Sequence, residues 1–177
     1  TPLHSAALTG NSAVVQPLLT HASSRSDTNV QELKLMTPLF HAAGLGHLDA
    51  FKVLLEENRC DINLPDKRQR TPLIEAASRG RNEAVEILLS QPGVRPNERD
   101  CQGLHVSFWA GWDLLICAAG RGHHRLAETL LQRPDVNINQ QDNYESTPLA
   151  RAAFRGRNAT VELLLSHQDI LTDRPTN

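Results

Sequence analysis

The sequence predicts an all-α solenoid of helix–turn–helix units joined by hairpin-like loops, and three observations predict it. One pattern occurs five times, most clearly as Thr71–Ser90, TPLIEAASRGRNEAVEILLS. Within each copy, apolar residues recur at helical spacing on two short segments parted by a glycine. Between copies, polar turn formers stand at constant offsets. Self-similarity of this kind marks a stack of supersecondary units.

Each element has a physical reason. Thr71 suits a helix N-cap, its hydroxyl accepting an unpaired backbone N–H of the first turn. Pro72 follows at the first helical position, where its missing N–H costs nothing. Leu73, Ala76 and Ala77 give the first helix a small-residue apolar face. Gly80 ends that helix, in the left-handed conformation that glycine adopts without strain. Ala84, Val85, Leu88 and Leu89 recur at three- and four-residue spacing, which makes a second amphipathic helix. Helices near ten residues are not stable alone in water, so each pair must be covered by the next.

The other copies start at Thr1 (TPLHSAALTG), Thr37 (TPLFHAAGLG), Asp113 (DLLICAAGRG) and Thr147 (TPLARAAFRG). Asp113 replaces the threonine and is itself a good N-cap. Asp27-Thr28-Asn29, Asp61-Ile62-Asn63 and Asn137-Ile138-Asn139 each begin ten residues before a repeat threonine, and Asp66 and Asp142 lie five before theirs. Asp100 holds the same place relative to Arg95 and Asn97. These positions read as a loop projecting from the stack.

The chain resembles the ankyrin-repeat family, whose unit is a β-turn plus two helices with a T-P-L-H-x-A signature. Thr1-Pro2-Leu3-His4-Ser5-Ala6 matches that signature in full, and the resemblance spans essentially the whole chain. The signature His becomes Phe40, Ile74, Ile116 and Ala150 in later copies. The usual hairpin glycine survives as Gly103, with Leu35, Gln69 and Glu145 elsewhere, so those tips are expected to be irregular.

The expected organisation is one array of five repeats, 1–36, 37–70, 71–112, 113–146 and 147–177. The repeat starts are 36, 34, 42 and 34 residues apart, so an insertion of about eight residues enters the third unit at 104–112, LHVSFWAGW. The chain opens without an initiator Met, and neither end reads as the polar capping repeat a solenoid needs. A segment of a longer protein is the expectation. Pro17 falls inside the second helix of the first repeat, where an interior proline costs about 3 kcal/mol, and this end is expected to fray.

Composition excludes several classes. A net charge of −2 gives no global attraction to nucleic acid or acidic membrane. No apolar run approaches a membrane span, and no signal-peptide pattern opens the chain. Three cysteines, Cys60, Cys101 and Cys117, form no disulfide framework, which points to a reducing, intracellular location, cytoplasmic or nuclear. No nucleophile elbow or phosphate-cradling loop appears, so neither an enzyme nor a cofactor is expected. Cys101, His105 and Cys117 with His123 or His124 offer zinc-type donors, but their spacing matches no standard zinc pattern, and no metal site is expected.

Two basic features stand out. Lys67-Arg68-Gln69-Arg70 forms a basic loop tip. Arg79 and Arg81, Arg121 with His123 and His124, then Arg155 and Arg157 would line up along the turns between paired helices. Neighbouring Glu83, Glu86, Glu128 and Glu162 dilute that second field, and no aromatics are interleaved for base stacking.

Ankyrin arrays bind partners with their loop tips and exposed first-helix positions on the concave side. By position, the resemblance implies Lys67, Arg68, Arg70 and Glu75, then Tyr144, Arg151 and Phe154. The insertion adds Phe108, Trp109 and Trp112, either as a docking loop or as a patch folded back on neighbouring helices. The function expected is a protein-interaction scaffold, monomeric as an array and binding a protein partner. Two other readings stand beside it: a sensor or regulatory arm of a larger enzyme or signalling ATPase, and an anion-binding surface for nucleic acid or phospholipid.

Overall fold

The computed structural model describes residues 1–21, 28–32, 34–57, 60–95, 114–134, 136–142 and 144–172. The chain divides into two compact units, Thr1–Pro96 and Asn97–Asn177. The expected insertion at 104–112, with Phe108, Trp109 and Trp112, lies outside the described residues, as do Asp27, Asn97, Asp100, Cys101, Gly103, His105 and Asp113.

Among the described residues the structure is all-α. In the first unit the helix pairs are α1 (Pro2–Thr9) with α2 (Ser12–His21), α3 (Pro38–Leu45) with α4 (Leu48–Glu56), and α5 (Pro72–Ser78) with α6 (Asn82–Ser90). First helices pack side by side, α1 on α3 and α3 on α5, while second helices form a parallel layer, α2 on α4 and α4 on α6. The second unit repeats the plan with α7 (Leu114–Arg121) and α8 (His124–Leu131), then α9 (Pro148–Phe154) and α10 (Asn158–Leu165). There α7 packs on α9 and α8 on α10. The core is the one the pattern predicts: Ala6, Ala7, Ala42, Ala43, Ala76 and Ala77 bring first helices close, and Phe51, Leu54, Val85 and Leu88 fill the space behind them.

The caps follow the sequence. Thr1, Thr37, Thr71 and Thr147 each accept, through the hydroxyl, the backbone N–H three residues on. The second helices lack a side-chain cap at His47, Arg81 and Arg157, because those side chains reach elsewhere. His47 Nε2 donates to Leu8 O at 3.0 Å, Arg81 Nε to Gly44 O at 3.3 Å and Arg157 Nε to Gly120 O at 3.5 Å. Each acceptor lies in the last turn of the preceding pair's first helix, where carbonyls lack intrahelical partners and the helix dipole favours a donor. This latch also restricts the helix-ending glycines. Gly10 and Gly122 are left-handed, and a Cβ on either would come within 2.7–2.8 Å of His47 or Arg157.

Two expectations are corrected. Pro17 does not break its helix: α2 runs continuously through it. Pro17 and Ala13 both lie on the exposed side, so the Ala13 carbonyl that loses its bond faces water. The loop tips are not irregular either. Leu35, Gln69 and Glu145 take positive φ of 59°, 61° and 59° and keep the turn that glycine would make. Their N–H groups donate to Glu32 O, Asp66 O and Asp142 O, at 2.7, 2.8 and 3.0 Å.

The inter-pair loops are tied to one another through asparagine. Asn63 Nδ2 donates to Gly93 O and its Oδ1 accepts from Arg95 N–H, so one side chain pins the next loop in the first unit. Asn139 does the same to Asp169 O and Leu171 N–H in the second.

Candidate protein-interaction surface

The loop carboxylates organise this surface. Glu32, Asp66 and Asp142 each stand five residues before a repeat threonine. Asp66 accepts the N–H groups of Arg68 and Arg70, and Asp142 those of Tyr144 and Ser146, all at 2.9 Å. An acid in a tight turn thereby satisfies donors that the turn leaves unpaired.

Each of these carboxylates also pairs with a nitrogen-bearing side chain, and the source of that side chain varies. In the second pair it is His41 on the first helix, 2.7 Å from Glu32. In the fifth it is Arg151, at the equivalent helix position, whose Nε lies 2.7 Å from Asp142 Oδ2. In the third pair that helix position holds an acid, Glu75, and the loop supplies Arg70 instead. Arg70 Nη2 is 2.7 Å from Asp66 Oδ2, and Nη1 pairs with Glu75 Oε2. Arg79 Nε adds a contact to Glu75 Oε1 at 2.6 Å. The chain Asp66–Arg70–Glu75–Arg79 is a charge-balanced network, and burial makes such charges costly unless paired.

This geometry sorts the expected site residues. Lys67 and Arg68 are exposed at the basic tip. Arg70 is largely committed, with its guanidinium 5.6 Å from the Phe40 ring centroid. Glu75 is not an exposed first-helix position; it is buried, 3 % exposed. Arg151 is buried as well, and its guanidinium lies 5.4 Å from the Tyr144 ring centroid.

Tyr144 and Phe154 differ from all of these. Tyr144 is 62 % exposed and Phe154 77 % exposed. Together with Ser146, Ala150 and Arg151 they line a cavity of 460 Å³. The cation–π contact and the Asp142 pair hold Tyr144 and Arg151 in place, so those two walls of the cavity are set in advance. Ser146 and Ala150 were not singled out from the sequence. The signal for Ala150 was its place four residues before Phe154, on the same helical face.

The row of turn arginines is largely absorbed into the fold. Arg79 pairs with Glu75, while Arg81 and Arg157 serve as latches. Among the described residues, no three His, Cys, Asp or Glu side chains gather as a metal site, and no helix is long and apolar enough to cross a membrane.

No curated protein matches this sequence. The family model described as ankyrin repeats (three copies) matches residues 3–100 and again residues 101–174. Those two matches cover the paired helices, the pinned loops and the Thr-Pro caps at Thr37, Thr71 and Thr147, and the chain belongs to the ankyrin-repeat family.

Proposed function

We propose that this chain is a scaffold or adaptor that captures a protein partner, with the Tyr144–Phe154 cavity as its principal contact and the Lys67–Arg68 tip as a second. Ankyrin repeats are generally protein–protein interaction modules. The observation that carries the finer reading is the exposure of two aromatic rings around one cavity whose other walls are already fixed. Aromatic side chains contribute large contact area for little conformational entropy and dominate interface hot spots. The free thiol of Cys60 fits a reducing, intracellular setting. The five repeats are read as one array, in which the insertion at 104–112 adds a further contact.

A photo-crosslinking amino acid placed at position 144 tests this reading. Adducts with one protein partner are expected from position 144 and from position 154, and not from Lys52 on the exposed side of α4. Equal crosslinking from all three positions contradicts it.

A further inference from the structure

Two loop tips of the first unit meet through their backbones. Lys67 N–H donates to Lys34 O at 2.9 Å. Gln31 Nε2 donates to Leu35 O at 2.7 Å and to Pro65 O at 2.9 Å, so one side chain joins the same two loops. Each tip is closed by its own turn, Leu35 N–H on Glu32 O and Gln69 N–H on Asp66 O. Main-chain atoms therefore fix where the side chains of Lys34, Lys67 and Arg68 begin.

Those three residues are cationic and exposed. The carboxylates at the foot of each tip face other groups: Glu32 pairs with His41, and Asp66 with Arg70. Glu75, the next acid along the chain, is held by Arg70 and Arg79. Among the described residues, none of the three cations has an acid partner. Like charges held on neighbouring backbones repel, and an arriving carboxylate relieves that repulsion.

The patch favours a protein over a nucleic acid. Phe40 and Phe51, the unit's only Phe, Tyr or Trp residues, are buried, so no base can stack on an aromatic ring here. Three cations also fall short of the roughly six to ten phosphate contacts that a strongly salt-dependent duplex binder makes. Leu35, 45 % exposed next to Lys34, adds apolar area that a peptide side chain covers and a phosphate backbone does not.

We infer that the patch of Lys34, Lys67 and Arg68 captures an acidic segment of the protein partner, one that presents carboxylates on alternate residues of an extended chain. Alternate residues of a strand share a face about 6.6 Å apart, and backbones joined by hydrogen bonds bring Cα atoms to about 5.5 Å. Neighbouring carboxylates therefore reach neighbouring cations. The inference rests on the reading that this chain captures a protein, and it supplies what the basic tip recognises.

Fluorescence anisotropy of a labelled peptide of six Glu-Thr repeats, titrated with the 177-residue chain in about 20 mM salt, tests it. The triple variant Lys34→Ser, Lys67→Ser, Arg68→Ser keeps every backbone contact between the tips, so its melting temperature should not change. Binding is expected to weaken at least about tenfold in that variant, and likewise for wild type in about 200 mM salt. A peptide of six Gln-Thr repeats should lose as much against wild type, which keeps the test independent of the variant's fold. Equal binding by the triple variant, or of the Gln-Thr peptide, overturns the inference. So does tighter binding of an oligothymidylate or of phosphatidylserine vesicles, which would assign the patch to phosphates. No binding of the Glu-Thr peptide overturns it as well. Crosslinking from positions 144 and 154 does not read these cations, so failure here with adducts there removes the acidic segment and leaves protein capture standing.

Discussion

Glu75 occupies the space that a side chain at Gly44 would fill: a Cβ built on Gly44 would lie 2.7 Å from Glu75 Cγ. Gly44 sits within a helix, where glycine is about 1 kcal/mol worse than alanine. The close approach explains why it is there. Glu75 cannot swing away, because Arg70 and Arg79 hold its carboxylate from two sides.

Gly44→Ala is therefore expected to destabilise the first unit by about 1–3 kcal/mol, as overpacking does, despite its better helix propensity. Glu75→Ala in the same chain removes the γ carbon and should relieve the clash, so the double variant loses less than the two single changes added together. Thermal melts of the four proteins check this. Strict additivity would show that the contact is not felt.

The loop tips give a prediction of opposite sign. Leu35, Gln69 and Glu145 hold a left-handed conformation that costs a non-glycine residue about 1–2 kcal/mol. Replacing each with glycine should stabilise the fold by about 1 kcal/mol, read as a raised melting temperature. A fall on all three changes would mean that these side chains contribute more than their backbone strain costs.

Much of this architecture was legible in the sequence because it rests on local rules. Thr71, Pro72 and Gly80 announce a cap, a start and a stop within ten residues, and the alanine pairs mark where helices approach. What was not legible depends on residues far apart in sequence. Nothing near Glu75 says that Gly44 will leave room for it, so an acid on a first helix reads as exposed when it is buried. Arg81 and Arg157 read as a basic row for the same reason, since the carbonyls they reach lie 37 residues earlier. Pro17 misled in the other direction: the cost of a proline depends on whether the freed carbonyl meets water, and Ala13 is exposed.

Acidification should act through His4. Its Nε2 lies 2.9 Å from Met36 O, which only accepts, so Nε2 carries the proton. Nδ1, 2.8 Å from Thr1 Oγ1, accepts from that hydroxyl. Burial lowers the pKa below the ordinary 6.5, so the unfolded chain takes up the proton more readily than the folded one. Stability contributed by neutral His4 is fully present above 6.5 and is lost progressively as pH falls below it. Melting temperature should therefore drop between pH 7.5 and 5.5 by more in the wild type than in His4→Gln, on the reasoning that an amide does not titrate in this range. Parallel profiles would contradict this.

The cavity carries the functional account, and affinity measured on a cavity variant tests it most directly. With a partner identified by crosslinking, binding to wild type and to the double variant Tyr144→Ser, Phe154→Ser is compared by titration calorimetry, with melting temperature as the control. Both rings are exposed and the Tyr144–Arg151 cation–π contact contributes about 0.5–1 kcal/mol, so the fold should change by no more than about 1 kcal/mol. Two aromatic hot spots lost together should weaken binding by about 2 kcal/mol or more, roughly 30-fold. Unchanged affinity at unchanged melting temperature would contradict the account.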